Sequence, residues 1–126
     1  VPWFFWPPII VLALILAGAA YQFLGLAADR RRYPPPGKKI SGLHLELAGD
    51  CGGAAVILES GISASCLNWT YVFGELAKAG LVCRYDRAGL GWSDLPPQAL
   101  TARGIVDHLR ATLDQAGVPK PYILVG

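Results

Sequence analysis

The feature that most constrains the fold is an absence of charge. Val1 to Ala28 contains no Asp, Glu, Lys or Arg, and only Tyr21 and Gln22 interrupt its apolar character. Within it, Ile9 to Ala28, "IIVLALILAGAAYQFLGLAA", is twenty residues long, roughly 30 Å as a helix and so about the thickness of a bilayer's hydrocarbon layer. No polar face appears at any helical phase, which argues against a core helix of a soluble domain. Pro7 and Pro8 suit the first helical turn. The cluster Trp3, Phe4, Phe5, Trp6 fits an interfacial aromatic belt, and "DRRRYPPPGKK" supplies a charged stop. A cleaved secretory signal is the competing reading, but the basic leader is missing and the apolar run is too long for one.

The chain starts with Val and holds no Met, so its true N-terminus is expected to be missing. Five of the eleven basic residues are Arg30, Arg31, Arg32, Lys38 and Lys39. The positive-inside tendency therefore places the C-terminal part on the cytoplasmic side, an orientation that further upstream charges would reverse. The expected organisation is a transmembrane anchor at 1–29, a basic, Pro-rich linker at 30–39 and a folded domain from 40 to 126.

Beyond the linker the charge changes sign. Residues 40–126 hold six Lys or Arg and eight Asp or Glu, a net of minus two, so nucleic-acid binding has no support. The basic cluster reads as a topology signal near anionic head groups, with the lipid bilayer as partner. Cys51, Cys66 and Cys83 are separated by fifteen and seventeen positions, which matches no metal-ligand spacing. No metal or cofactor is expected, and each cysteine reads as a small buried hydrophobe.

The domain alternates short strands and helices. "LHLEL" places Leu43, Leu45 and Leu47 on one face and His44 and Glu46 on the other, a half-buried strand with the histidine outward. "AAVILES" and "LVCRY" read as buried strands. Between them a helix starts near Ser65, with Trp69, Val72, Phe73, Leu76 and Ala77 on one face and Gly80 as a stop. Thr101 caps a second helix whose apolar face is Ile105, Leu109, Leu113 and Ala116, closed by Gly117 and Pro119. The final "YILVG" reads as a strand buried on both faces, whose neighbours are expected downstream. Strand, helix, strand, helix, strand with short connections predicts an α/β fold, a mostly parallel sheet with flanking helices, preceded by one transmembrane helix.

In such sheets chemistry gathers where strands end. Three places qualify: "ESGISAS", where Gly61 allows a tight turn and frees the Ile62 amide; "YDRAGLGWSD", a turn around Gly89 and Gly91 anchored by Asp86 and Ser93; and Gly126.

"AVILESGISASCLNW", "LVCRYDRAGLGWSD" and "PYILVG", in this order and at these separations, resemble the first half of the α/β-hydrolase core over residues 38–126. The resemblance implies a serine hydrolase of ester, amide or similar acyl bonds, with a small-molecule substrate and no cofactor. It makes Gly126 the first glycine of the GxSxG elbow, so that nucleophile, acid and base are expected beyond this chain. Gly61 and Ile62 then stand at the turn whose backbone amide faces a developing oxyanion. Ser60 occupies the position usually held by His, with Glu59 before it, and no Asn follows Gly61, so a dehalogenase-like halide site is not implied.

Blander roles compete with each of these. Asp86, Gly89, Gly91 and Ser93, with Arg87, read first as residues that shape their loop through hydrogen bonds. His44 on an outward face and His108 beside Asp107 are poorly placed as bases. Ser63, Ser65 and Ser93 lack an elbow, and Ser65 reads as a helix cap. Trp69 and Trp92 are candidates to line a pocket near the turn, although Trp69 reads first as core. Asp50, Asp94 and Asp114 read as turn or surface residues. Two further functions remain open: a binding or scaffolding member of the same fold without a working triad, and a dinucleotide loop opening at Gly126. The second is the weaker, because that loop normally follows the first strand of its unit.

Overall fold

The computed structural model describes residues 2, 6–96 and 100–126; the expected aromatic positions Trp3, Phe4 and Phe5 lie outside them. Two compact units are present, Val1–Pro34 and Pro35–Gly126.

The first unit contains helix α1 (Trp6–Arg32), with Pro7 and Pro8 in its first turn, where their missing amide hydrogens have no intrahelical partner to lose. None of its residues is buried. It is long and apolar enough to cross a membrane, by length and composition. The helix runs three residues beyond the expected boundary at 29, because no breaker intervenes before Pro34 and because Arg30, Arg31 and Arg32 favour the negative end of the helix dipole.

The second unit is built on one five-stranded sheet: β1 (Lys38–Ile40), β2 (Leu43–Ala48), β3 (Ala55–Leu58), β4 (Val82–Tyr85) and β5 (Tyr122–Val125), in the order β1-β2-β4-β3-β5. Lys38 and Lys39, expected as linker, belong to β1. Ser41 and Gly42 both have positive φ, 49° and 82°, the conformation that closes a two-residue hairpin, and β1 pairs antiparallel with β2. β2 is also antiparallel to β4, with Leu45 opposite Tyr85. From there the sheet is parallel, Ile57 on β3 lying between Cys83 on β4 and Leu124 on β5. The expected sheet with flanking helices is present, in mixed form, because its opening hairpin cannot be parallel.

Helices α2 (Thr70–Ala79) and α3 (Ala102–Gln115) cover opposite faces. Alternate strand residues divide between them, as a pleated strand requires. Leu45, Ile57, Cys83 and Tyr85 pack with Leu113, Leu109 and Ala116 of the α3 side. Leu58 and Val82 pack with Phe73, Leu76, Ala77 and Trp69 of the α2 side. Val72, expected on the buried face, is 44% exposed. Thr101 caps α3 by accepting from the Gly104 amide at 3.1 Å, and Gly117 (φ 75°) follows its end.

Among the described residues β5 pairs with β3 alone, and its Ile123 and Leu124 are 51% and 69% exposed. Two expectations are corrected. His44 does not face outward: it is 1% exposed, since the sheet is covered on both sides and its polar residues find partners there. Glu46 on the same face pairs with the buried Arg84 at 2.6 Å, whose guanidinium lies 4.4 Å from the Phe73 ring centre. Of the cysteines, Cys66 and Cys83 are buried, whereas Cys51 is exposed.

Candidate functional site

β3 ends at Leu58, between the ends of β4 and β5, and the chain there enters the turn Glu59 to Ser65. Two internal hydrogen bonds close it. The buried Ser60 hydroxyl donates to the Ser65 carbonyl at 2.9 Å, and the Ala64 amide donates to the Gly61 carbonyl at 3.2 Å. Ser65 then accepts from the Leu67 amide and caps the 3-10 turn Cys66–Trp69 that leads into α2. Ile62 stands out at 87% exposure, and its amide donates to no acceptor among the described residues. The left-handed residue of the turn is Ser63 (φ 61°), not Gly61. A Cβ added at Gly61 meets no atom within 4 Å beyond its chain neighbours, so packing does not demand glycine there.

Gly126 lies close by. The Glu59 amide donates to the Val125 carbonyl at 2.8 Å, and a Cβ on Gly126 would stand 3.6 Å from that of Glu59.

The loop after β4 is organised by Asp86, which is fully buried. Its Oδ1 accepts from the Cys66 amide at 2.7 Å, and its Oδ2 accepts from the Trp92 amide at 3.1 Å and faces His44 Nδ1 at 2.9 Å. Ser93 accepts from the His44 amide at 2.9 Å and donates to the Asp86 carbonyl at 2.7 Å. Gly89 and Gly91 have φ of 81° and 53°. Gly91 passes so near the carboxylate that a Cβ there would lie 2.4 Å from its Cγ.

His44, Cys66 and Asp86 bring ligand-type atoms within 4.8 Å of one another. This is not a proton relay. A relay uses both ring nitrogens in sequence, whereas Cys66 Sγ (3.8 Å) and Asp86 both face Nδ1, and Nε2 faces the Pro36 carbonyl. Burial, followed by the charge of Asp86, pushes the Cys66 thiol up to about 12, so it keeps its proton. With each carboxylate oxygen already accepting an amide, the cluster is a hydrogen-bonded anchor joining β2, the 3-10 turn and the loop after β4. Its sequence separations of 22 and 20 positions carry no local signal.

A second polar cluster sits at the same strand ends. Glu59 accepts from the Tyr85 hydroxyl through one oxygen and from Arg87 Nε through the other. Burial raises the Tyr85 phenol above its ordinary range, and its hydrogen bond to Glu59 adds to the effect. Tyr85 and Arg87 also border a cavity of about 580 Å³ between the loop after β4 and α3, lined further by Leu43, Ile105 and His108. Gly61, Ile62, Trp69 and Trp92 do not line it, and Trp69 packs against the core on the α2 side. Trp92 instead packs 5.1 Å from the His44 ring. His108 Nε2 faces the Ser41 carbonyl at 2.8 Å, and Asp94 pairs with Lys39 at 2.6 Å.

No protein-family model matches the chain. A protein named as the carbamate hydrolase RutD, from Variovorax paradoxus strain S110, is 37% identical over 87 residues, covering 65% of this chain and 32% of that protein. A protein named as the transporter efuK, from Hormonema carpetanum, is 39% identical over 77 residues, covering 60% of this chain and 11% of that protein. The chain therefore spans about a tenth to a third of the length of these relatives. Among solved structures, a bromoperoxidase from Bacillus anthracis superposes with a TM-score of 0.58 at 30% identity, over 67% of this chain and 30% of that one. A thermophilic esterase from Thermogutta terrifontis gives 0.58 at 26% identity, over 65% and 29%.

Proposed function

The chain carries the N-terminal part of an α/β-hydrolase fold, and on that premise we propose that the full protein is a membrane-anchored hydrolase of ester, amide or similar acyl bonds in small molecules. The observation that carries this reading is the turn after β3, which starts at Glu59 beside Gly126 and carries the Ile62 amide, without an acceptor among the described residues. In this role Gly61 and Ile62 present a backbone donor to the oxyanion, a contribution whose loss costs an enzyme on the order of a hundred-fold to a thousand-fold in turnover. Asp86, Gly89, Gly91 and Ser93 hold the neighbouring loop, and nucleophile, acid and base come from residues outside this chain. α1 serves as the bilayer anchor, with Arg30, Arg31 and Arg32 favouring the cytoplasmic side for the domain.

The test uses the full-length protein with p-nitrophenyl butyrate and a fluorophosphonate label. Turnover and labelling are expected, and both should be absent from the 126-residue chain alone. Gly61→Val should depress turnover far more than stability, because the added side chain meets no packed atom beyond its neighbours but crowds the Ile62 amide. A full-length protein that neither turns over acyl substrates nor takes the label would refute the reading. It would favour the non-catalytic binding member of the fold.

A further inference from the structure

Glu59 places a carboxylate immediately before the turn that carries the Ile62 amide, among the ends of β3, β4 and β5. A negative charge at that point opposes a second negative charge developing on a substrate oxygen nearby. The side chains of Glu59 and Arg87 are only 28% and 33% exposed, so water screens the charge in part. Both carboxylate oxygens are nevertheless occupied, one by the Tyr85 hydroxyl and one by Arg87 Nε. Tyr85 adds no charge of its own, since burial and its donation to Glu59 keep the phenol protonated. The other nearby carboxylates are engaged elsewhere, Asp86 with His44 and Asp94 with Lys39. Among the described residues, Arg87 is the cation paired with Glu59.

We propose that Glu59 and Arg87 form a charge-compensating positioning pair: Glu59 fixes the start of the turn to the loop after β4, and Arg87 cancels the field that Glu59 would otherwise direct against an oxyanion held at Ile62. The inference rests on the acyl-hydrolase reading above. It differs from a merely structural ion pair in a way that can be measured. A structural pair is damaged by removing either partner and damaged at least as much by removing both. A compensating pair is damaged most when Arg87 alone is lost, because an unbalanced carboxylate remains beside the reacting oxygen, and removing Glu59 as well relieves it.

The experiment measures kcat, KM and thermal unfolding of the full-length protein carrying Arg87→Gln, Glu59→Gln or both, with p-nitrophenyl butyrate. Arg87→Gln is expected to lower kcat by about tenfold or more with KM little changed, the signature of an interaction felt in the transition state. The double variant should regain most of that loss while melting no higher than Arg87→Gln. A double variant as slow as Arg87→Gln, or an Arg87→Gln protein with full kcat, overturns the proposal. Should Arg87→Gln fail to fold, Arg87→Lys keeps the charge but not the planar fork. Recovery of most of kcat by that variant supports compensation, and a loss as deep as a missing donor overturns it. A wild-type protein without turnover or labelling fails the acyl-hydrolase reading itself, and the pair falls with it.

Discussion

Gly91→Ala should be among the most damaging small substitutions in the domain. Gly91 has a φ of 53°, a left-handed conformation that costs an L side chain roughly 1–2 kcal/mol. The new Cβ would also lie 2.4 Å from Asp86 Cγ and Oδ2, so the carboxylate must move. It cannot move freely, because it is buried and holds the Cys66 and Trp92 amides and the His44 ring. Each buried donor left without its acceptor costs about 1–3 kcal/mol. Losing one of the three contacts brings the total to about 2–5 kcal/mol, a large part of a typical stability of about 5–15 kcal/mol. The assay is equilibrium urea unfolding of the full-length protein, followed by tryptophan fluorescence, with Gly61→Ala as the comparison. Gly61 lacks a left-handed φ and its Cβ would meet open space, so that variant should stay within about 0.5 kcal/mol of wild type. If the two variants unfold at the same urea concentration, the account of Asp86 as the anchor of this loop is wrong.

Alkylation of the native protein at pH 8 should modify Cys51 and spare Cys66 and Cys83, as mass spectrometry of the modified peptides would reveal. Burial pushes both protected thiols up to about 12, while unfolded thiols ionise near about 8.5. The folded state therefore keeps protons that the unfolded state releases, and the stability these thiols contribute, complete below about pH 8.5, should decline as pH rises toward about 12; a melting temperature that climbs over this interval would contradict the burial. The 126-residue chain should sediment with membranes and resist carbonate extraction, whereas a form starting at Pro34 should not, and recovery of the longer form in the soluble fraction excludes the anchor. Residues 34–126 alone should self-associate through the edge of β5, where Ile123 and Leu124 are exposed; Leu124→Lys should reduce this in light scattering, and an unchanged mass distribution would place the contact elsewhere.

The elements most legible in the sequence are those whose pattern is local. α3 follows from Thr101 and the spacing of Leu109, Leu113 and Ala116, all decided within one helix. β3 and β4 follow from short apolar runs that only a doubly covered strand tolerates. Harder features depend on partners far along the chain. β1 is three residues with two lysines, a composition that reads as linker until the hairpin pairs it. The alternation in β2 separates two faces but does not say that both are covered, so it points His44 to solvent, although the residue is buried and meets Asp86, 42 positions away. At the candidate site the turn and its glycines could be located, while the Glu59, Tyr85 and Arg87 cluster could not. Its members lie 26 and 28 positions apart and meet only because β3 and β4 are neighbours.

The two polar clusters act on a single segment. At its start, the turn after β3 is held by Glu59 to Arg87; at its end, the Cys66 amide is held by Asp86. Asp86 and Arg87 are consecutive, so one dipeptide leaving β4 grips both ends of the turn with charges of opposite sign. Between those grips the turn closes on itself through Ser60 and Ser65 and through Gly61 and Ala64, and Ser63 takes up the left-handed bend. The Ile62 amide thus sits in a segment tied at both ends to the residues that follow β4.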